Sequence, residues 1–216
     1  MTTVFRSSFI LLVSAILCLT SSLAFGDTEA APGDESTDHF KVLITYHSLT
    51  GNTAKMAQGI AEGARSIDNA VVVVKPVATV TADDLFSSDA LIVGSPVYWS
   101  NMAGEVKTFF DNWQFKFGVY PEFKMRNKVG AAFSTGGGVS NGKELTMLTI
   151  LAAMLGNQMI VVSGGGAFGA SATTEGERPG IDEREYAEAQ ALGQRVAEVT
   201  TLVKAGQLRQ ARKANP

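Results

Sequence analysis

Five short apolar runs, alternating with segments of helical spacing, constrain the fold of this chain more than any other feature. They are Val42–Thr45, Val71–Val74, Ala90–Gly94, Val129–Phe133 and Met159–Val162. Val71–Val74 is β-branched throughout, and such side chains suit a pleated strand better than a helix. Ala90–Gly94 is apolar from end to end, which places it centrally. Between the runs, Met56, Ile60 and Ala64 form one stripe, Val106, Phe109, Phe110 and Trp113 a second, and Leu145, Leu148, Ala152 and Leu155 a third. These intervals put each set on one helix face. Thr81–Asp84 has a cap-like start and opens a short helix; Asp182 caps a last helix carrying Tyr186, Ala189, Gly193 and Val196 on one face. Trp113–Asn127 and the Gly-rich Gly164–Gly180 read as irregular. Nearly continuous apolar strands alternating with helices imply an α/β fold, a single doubly wound five-stranded parallel sheet covered on both faces.

Ligands of such sheets bind outside the carboxyl ends of the strands. Three loops leave those ends. After the first strand comes Ser48-Leu49-Thr50-Gly51-Asn52-Thr53, running into a helix. Helix N-termini leave backbone N–H groups unpaired and partially positive, a place for phosphate. The same residues also suit a plain helix cap. The turn has no lysine, which a triphosphate loop requires, so the phosphate reading is a monophosphate. After the third strand comes Ser95–Gly104, with Pro96, Val97, Tyr98, Trp99 and Asn101; after the fourth comes Ser134-Thr135-Gly136-Gly137-Gly138. Phosphate donors, large aromatics and glycines of close approach on one rim describe a site for a flat aromatic molecule with a phosphate tail.

Thr45–Thr53 resembles the phosphate loop of flavodoxin-like FMN proteins. Gly94–Tyr98, with Asn101–Gly104 and Phe109-Phe110-Asp111, is similar to the flavin loop of type IV NAD(P)H:quinone oxidoreductases, also called tryptophan-repressor-binding-protein-like; Ser134–Gly136 matches their third loop. The resemblance runs from His39 to Val203 and implies strand order 2-1-3-4-5. It implies FMN as cofactor and NADH or NADPH as electron donor. Ser48, Leu49, Thr50, Gly51, Asn52 and Thr53 would hold the phosphate, and Pro96, Val97, Tyr98, Trp99 and Asn101 would line the isoalloxazine. Ser134, Thr135, Gly136, Gly137 and Gly138 would close over its pyrimidine end, and Phe117 would meet a bound quinone. No side chain is assigned as catalytic acid or base. Two departures bear on the family's tetramer and quinone pocket: Asn157 stands where a histidine is usual, and Gly164–Gly180 is shorter than the usual insertion.

The formal net charge of −3, with no basic block, disfavours nucleic acid. No pair of acids, Cys–His set or metal-ligand cluster supports hydrolytic or metal chemistry. Glu175, Glu177 and Arg178 read as a solvated loop, Trp113 as core, and His47 as either a donor to the ligand or a solvent-facing loop residue. Arg6, the apolar Phe9–Leu19 and Ala24-Phe25-Gly26 form a secretory signal over residues 1–26, with an uncleaved membrane anchor as the alternative. Cleavage would remove Cys18, the only cysteine, and place the protein outside the cytoplasm, periplasmic or secreted. Residues 27–38 read as a flexible leader, 39–205 as the FMN domain and 206–216 as a polar tail. Two functions fit: a two-electron NAD(P)H:quinone reductase, or an electron carrier of flavodoxin type. The partner is a small quinone or a redox protein, in a monomer or a homo-oligomer (dimer or tetramer).

Overall fold

A computed structural model describes residues 39–174 and 180–214. The signal, the leader and Glu175, Glu177 and Arg178 lie outside the described residues. Within them the chain runs β1 (Phe40–Tyr46), α1 (Asn52–Arg65), β2 (Ala70–Pro76), a 3-10 turn (Val77–Thr79), α2 (Ala82–Phe86), β3 (Ala90–Tyr98), β4 (Asn101–Met102) and α3 (Gly104–Phe115). It continues through β5 (Val129–Gly136), α4 (Lys143–Gly156), β6 (Ile160–Val161), β7 (Ala170–Thr173) and α5 (Glu183–Ala214). The parallel sheet has the order β2-β1-β3-β5-β6, with β4 antiparallel on the end of β3 and β7 parallel on the end of β5. Setting those two short strands aside leaves the doubly wound order 2-1-3-4-5.

Period-two alternation sorts the sheet's side chains into two cores. Val42, Ile44, Ile92, Ala131 and Phe133 face α1 and α5. Leu43, Leu91, Val93 and Ala132 face α3 and α4 with Val106, Phe109, Trp113, Ile150 and Met154. Helices α1 and α5 meet through small residues. A Cβ on Gly63 would stand 1.9 Å from the Gln190 carbonyl oxygen, and one on Gly193 1.8 Å from that of Ile60. Only glycine permits that approach.

The structure corrects three sequence readings. The expected loop after Gly94 is largely strand: β3 continues to Tyr98 and folds back on β4, a sixth strand beyond the five expected. The expected fifth strand shrinks to Ile160–Val161, and β7 lies inside the supposed loop Gly164–Gly180, so one edge of β5 is covered in two pieces. On α4 the expected buried stripe is inverted. Leu145, Leu148 and Leu155 are exposed, while Thr146, Met147, Ile150 and Met154 are buried. The polar tail, as far as Ala214, is the exposed continuation of α5.

The cap of α2 is built as expected. Thr81 Oγ1 accepts from Asp84 N, and Asp84 accepts from Thr81 N and Oγ1 and, through both oxygens at 2.8 Å, from Lys75. Burial alone would raise the Asp84 pKa; the Lys75 and Thr81 bonds outweigh it and hold the carboxyl at about 2. A depressed carboxylate adds stability that is present above its unfolded value near 3.8 and lost as pH falls through about 2. Acid titration of wild type should therefore lose about 2 kcal/mol between these limits, a loss that Asp84→Asn no longer shows when unfolding is followed by circular dichroism.

Candidate cofactor site

The first loop leaves β1 beside β3, where His47 N donates to Gly94 O at 3.2 Å. Gly51 caps α1 with φ 87°, and no side chain of its own bonds the helix end. Ser48 Oγ accepts from Ala54 N at 3.3 Å, while the N–H groups of Asn52 and Thr53 meet no acceptor among the described residues. The first turn of α1 carries no acid. The result is a partially positive helix end whose first N–H groups are unpaired among the described residues, chemically suited to a phosphate.

The hydroxyls divide. Thr50 is exposed, its Oγ1 accepting from Asn52 Nδ2 at 3.1 Å, and Asn52 Oδ1 accepts from Gly180 N at 2.8 Å. Thr53 is buried and shares a 2.8 Å hydrogen bond with the Thr135 hydroxyl. It therefore joins the first loop to the third from beneath. Leu49 stands out at the tip, 75% exposed.

The second element is a two-residue hairpin. Tyr98 and Asn101 pair across it, and Trp99 and Ser100 turn it with φ of 49° and 64°. Two successive left-handed residues make the tight turn that matches strand twist, usually filled by Asn or Gly. A tryptophan there is strained, and it is 101% exposed, so its side chain packs against nothing among the described residues. The turn leans on α4: a Cβ on Gly142, whose φ is 100°, would stand 2.7 Å from Ser100 O. Asn101 Oδ1 accepts from Thr149 Oγ1 at 2.9 Å and from its own neighbour Met102 N, so its side chain is tied to α4. Buried Ser95 accepts from Ala103 N at 2.8 Å and closes the hairpin at its base.

Tyr98 packs edge-on to His47, ring centroids 6.0 Å apart, and His47 Nε2 lies 3.6 Å from Glu105 Oε2. Burial, and then the Glu105 charge, push the Tyr98 phenol up from its ordinary value.

Of the expected third loop, Ser134, Thr135 and Gly136 are the end of β5; Ser134 is buried and donates to Ser95 O at 3.0 Å, so it ties β5 to β3. The Asn141 side chain fills the bend, its amide donating to Gly138 O and accepting from Gly137 N, each at 3.0 Å. It occupies the space that a Cβ on Gly136 would need. Behind it lies Lys143, 4% exposed, donating to the carbonyls of Gly138 and Val139 and to Thr173 Oγ1. Sequence reasoning passed over both residues, because an asparagine and a lysine at a helix start carry no pattern of their own.

Three cavities of about 460 Å³ lie against α3, two of them with residues of its first turn or of the hairpin in their lining. One, lined by Val77, Val80, Glu105, Phe109 and Phe117, runs along α3 from its first turn to Phe117, just past its last. The other, lined by Asn101, Met102, Phe110, Thr149 and Asn157, opens at the foot of the hairpin. No group of three or more His, Cys, Asp or Glu side chains among the described residues is placed to hold a metal ion.

A doubly wound sheet whose first loop is an open helix end, with an aromatic hairpin and a glycine loop on the same rim, defines the flavodoxin-like class. The comparisons agree. A profile of the family described as NADPH-dependent FMN reductase matches residues 68–174. A flavodoxin from Clostridium saccharobutylicum is 35% identical over 73% of this chain and 95% of its own length. An NAD(P)H dehydrogenase (quinone) from Geotalea daltonii is 30% identical over 74% of this chain and 96% of its own. The WrbA-like flavodoxin structure from Agrobacterium tumefaciens superposes with a TM-score of 0.64 at 22% identity, covering 76% of this chain and 98% of that one. The chain belongs to the flavodoxin-like family of FMN oxidoreductases, close to the type IV NAD(P)H:quinone oxidoreductases.

Proposed function

We propose that this chain is an exported FMN oxidoreductase that moves electron pairs from NADH or NADPH to a quinone-like acceptor. The observation that carries it is the open end of α1, presented beside an aromatic hairpin and a glycine loop on one rim. The donor set fits FMN: unpaired N–H groups and hydroxyls for one phosphate, and strained, exposed Trp99 for a flat ring. When bound, FMN supplies the two-electron chemistry. Ser48, Thr50 and the N–H groups of Gly51, Asn52 and Thr53 hold the phosphate. Val97, Tyr98 and Trp99 line the ring, the loop 134–138 closes its far end, and Phe117 meets the quinone in the cavity beside α3. Purified protein offered FMN should turn yellow and quench its fluorescence; a chain that does neither is not this enzyme.

The two loop threonines should part company. Thr50→Val, at an exposed position, should weaken FMN about tenfold and leave riboflavin, which has no phosphate, untouched. Thr53→Val instead strands the buried Thr135 hydroxyl and should cost about 1–3 kcal/mol of stability in denaturant melts. Equal behaviour of the two variants would put the phosphate elsewhere.

The greater identity to a protein named flavodoxin favours a second reading, an electron carrier without turnover of its own. Steady-state NADH or NADPH oxidation with benzoquinone separates them: turnover selects the enzyme, and rapid electron exchange without turnover selects the carrier. Export rests on residues 1–26 and is tested by N-terminal sequencing of the fractionated protein, where Asp27 should begin the chain. Assembly into a dimer or tetramer would cover the exposed leucines of α4, and sedimentation of wild type against Leu148→Glu tests it.

A further inference from the structure

We propose that Lys143 is the positioning residue of the third loop: its buried ammonium turns two backbone N–H groups outward to receive the carbonyl edge of the flavin, and favours bound flavin in its reduced over its oxidised form. This rests on the FMN reading above.

Lys143 begins α4 and reaches back under the loop that precedes it. Its Nζ donates to Gly138 O at 2.7 Å, Val139 O at 3.3 Å and Thr173 Oγ1 at 2.8 Å. All three protons are thus spent on neutral oxygens. None of the ion pairs among the described residues includes Lys143. Glu185 is the acid nearest by bonding, and its carboxylate accepts from the N–H groups of Thr173 and Asp182. A buried ammonium with neutral partners is costly. The start of a helix, whose dipole already presents positive charge, is the less favourable end for a cation. An apolar side chain would fill this space at lower cost, so the charge itself has a use there.

The bonds also set the direction of the loop's peptides. In a planar trans peptide the C=O and the following N–H point opposite ways. With the carbonyls of Gly138 and Val139 turned in to the ammonium, the N–H groups of Val139 and Ser140 turn out, at the exposed tip of the loop. Neither N–H meets an acceptor among the described residues. Two adjacent outward donors backed by a positive charge match a ring edge rich in carbonyl oxygens. The pyrimidine end of FMN has that chemistry, and a phosphate site already stands on the first loop. Two electrons and one proton delivered from a nicotinamide donor add one net negative charge at that end. A nearby ammonium therefore binds the reduced ring more tightly than the oxidised one.

Two measurements test this. In ¹⁵N–¹H spectra of the wild-type protein, the amides of Val139 and Ser140 should shift on saturation with riboflavin as with FMN, whereas those of Asn52 and Thr53 should respond fully only to FMN or inorganic phosphate. Lys143→Met should weaken oxidised FMN about tenfold by fluorescence titration, weaken reduced FMN by a larger factor, and so lower the midpoint potential of the bound flavin in spectroelectrochemistry. Unmoved Val139 and Ser140 amides overturn the inference whether or not Lys143→Met folds. So does a folded Lys143→Met whose potential equals that of wild type. Wild-type protein that takes up neither FMN nor riboflavin overturns the proposed function and this inference together; binding with unmoved amides overturns this inference alone.

Discussion

Gly193→Ala is expected to lower the melting temperature by roughly 10 °C, from a stability loss on the order of 3 kcal/mol. The added methyl would stand 1.8 Å from Ile60 O and 2.7 Å from its carbon, both in the backbone of α1. No rotamer change relieves a clash with backbone. The helices cannot slide apart locally either, because one turn away Gly63 sits as tightly against Gln190. The α1–α5 pair closes one whole face of the sheet, so separating it opens that core to water. The same substitution at Gly206, in the same helix but with nothing within reach, supplies the control. There Ala should stabilise α5 by about 0.5–1 kcal/mol through its better helix propensity. Thermal melts of the two variants should move in opposite directions. A Gly193→Ala protein as stable as wild type would mean the helices pack differently.

Gly94→Ala should damage fold and site together. A Cβ here would stand 2.0 Å from the ring of Phe133, its paired neighbour on β5, and that ring is fully buried. Gly94 O also accepts from His47 N, so this residue fixes where the first loop leaves β1 and where β3 rises into the hairpin. Displacing it moves two of the three loops relative to each other. We expect a loss of about 1–3 kcal/mol in denaturant melts. FMN affinity should fall more than about tenfold under conditions where the variant stays folded, since misplaced donors lose both bond geometry and charge assistance. Phe133→Leu in the same chain should restore part of the stability, with a coupling of about 1 kcal/mol or more. Strict additivity of the two substitutions would show that the ring is not the obstacle.

The parallel strands and the strand–turn–helix course of the first loop were legible because their signals are local. β-branched runs announce strands, and a turn of Ser, Thr, Gly and Asn before a helical stripe announces where α1 begins. The hairpin was hidden because its turn is Trp99-Ser100, with neither the Asn nor the Gly that two successive left-handed residues favour; only the pairing of Tyr98 with Asn101 reveals it. β7 was hidden because Ala170-Ser171-Ala172-Thr173 is small and polar, a strand held by β5 and not by its own propensity. The face of α4 was inverted for a different reason. That helix is apolar nearly all round, so Leu145-Leu148-Leu155 and Met147-Ile150-Met154 are equally good stripes. Tertiary packing chooses between them, and it buries Lys143 and Thr146 on the chosen side. For Thr53 and Ser134, residue type pointed to the rim, whereas the fold spends both hydroxyls on joining loops beneath it.

Helices of a parallel α/β sheet run back against the strands, so α5 ends at the rim opposite the three loops. Lys204 marks the crossing there, donating to His39 O at 2.9 Å where β1 begins. Both the entry to β1 and the free turns of α5 therefore point away from the site. A domain wired in this way can be tethered through β1's entry or the end of α5, to an electrode or a bead, with the rim of the three loops facing the solution. The last exposed turns of α5 act as a spacer of about 1.5 Å per residue.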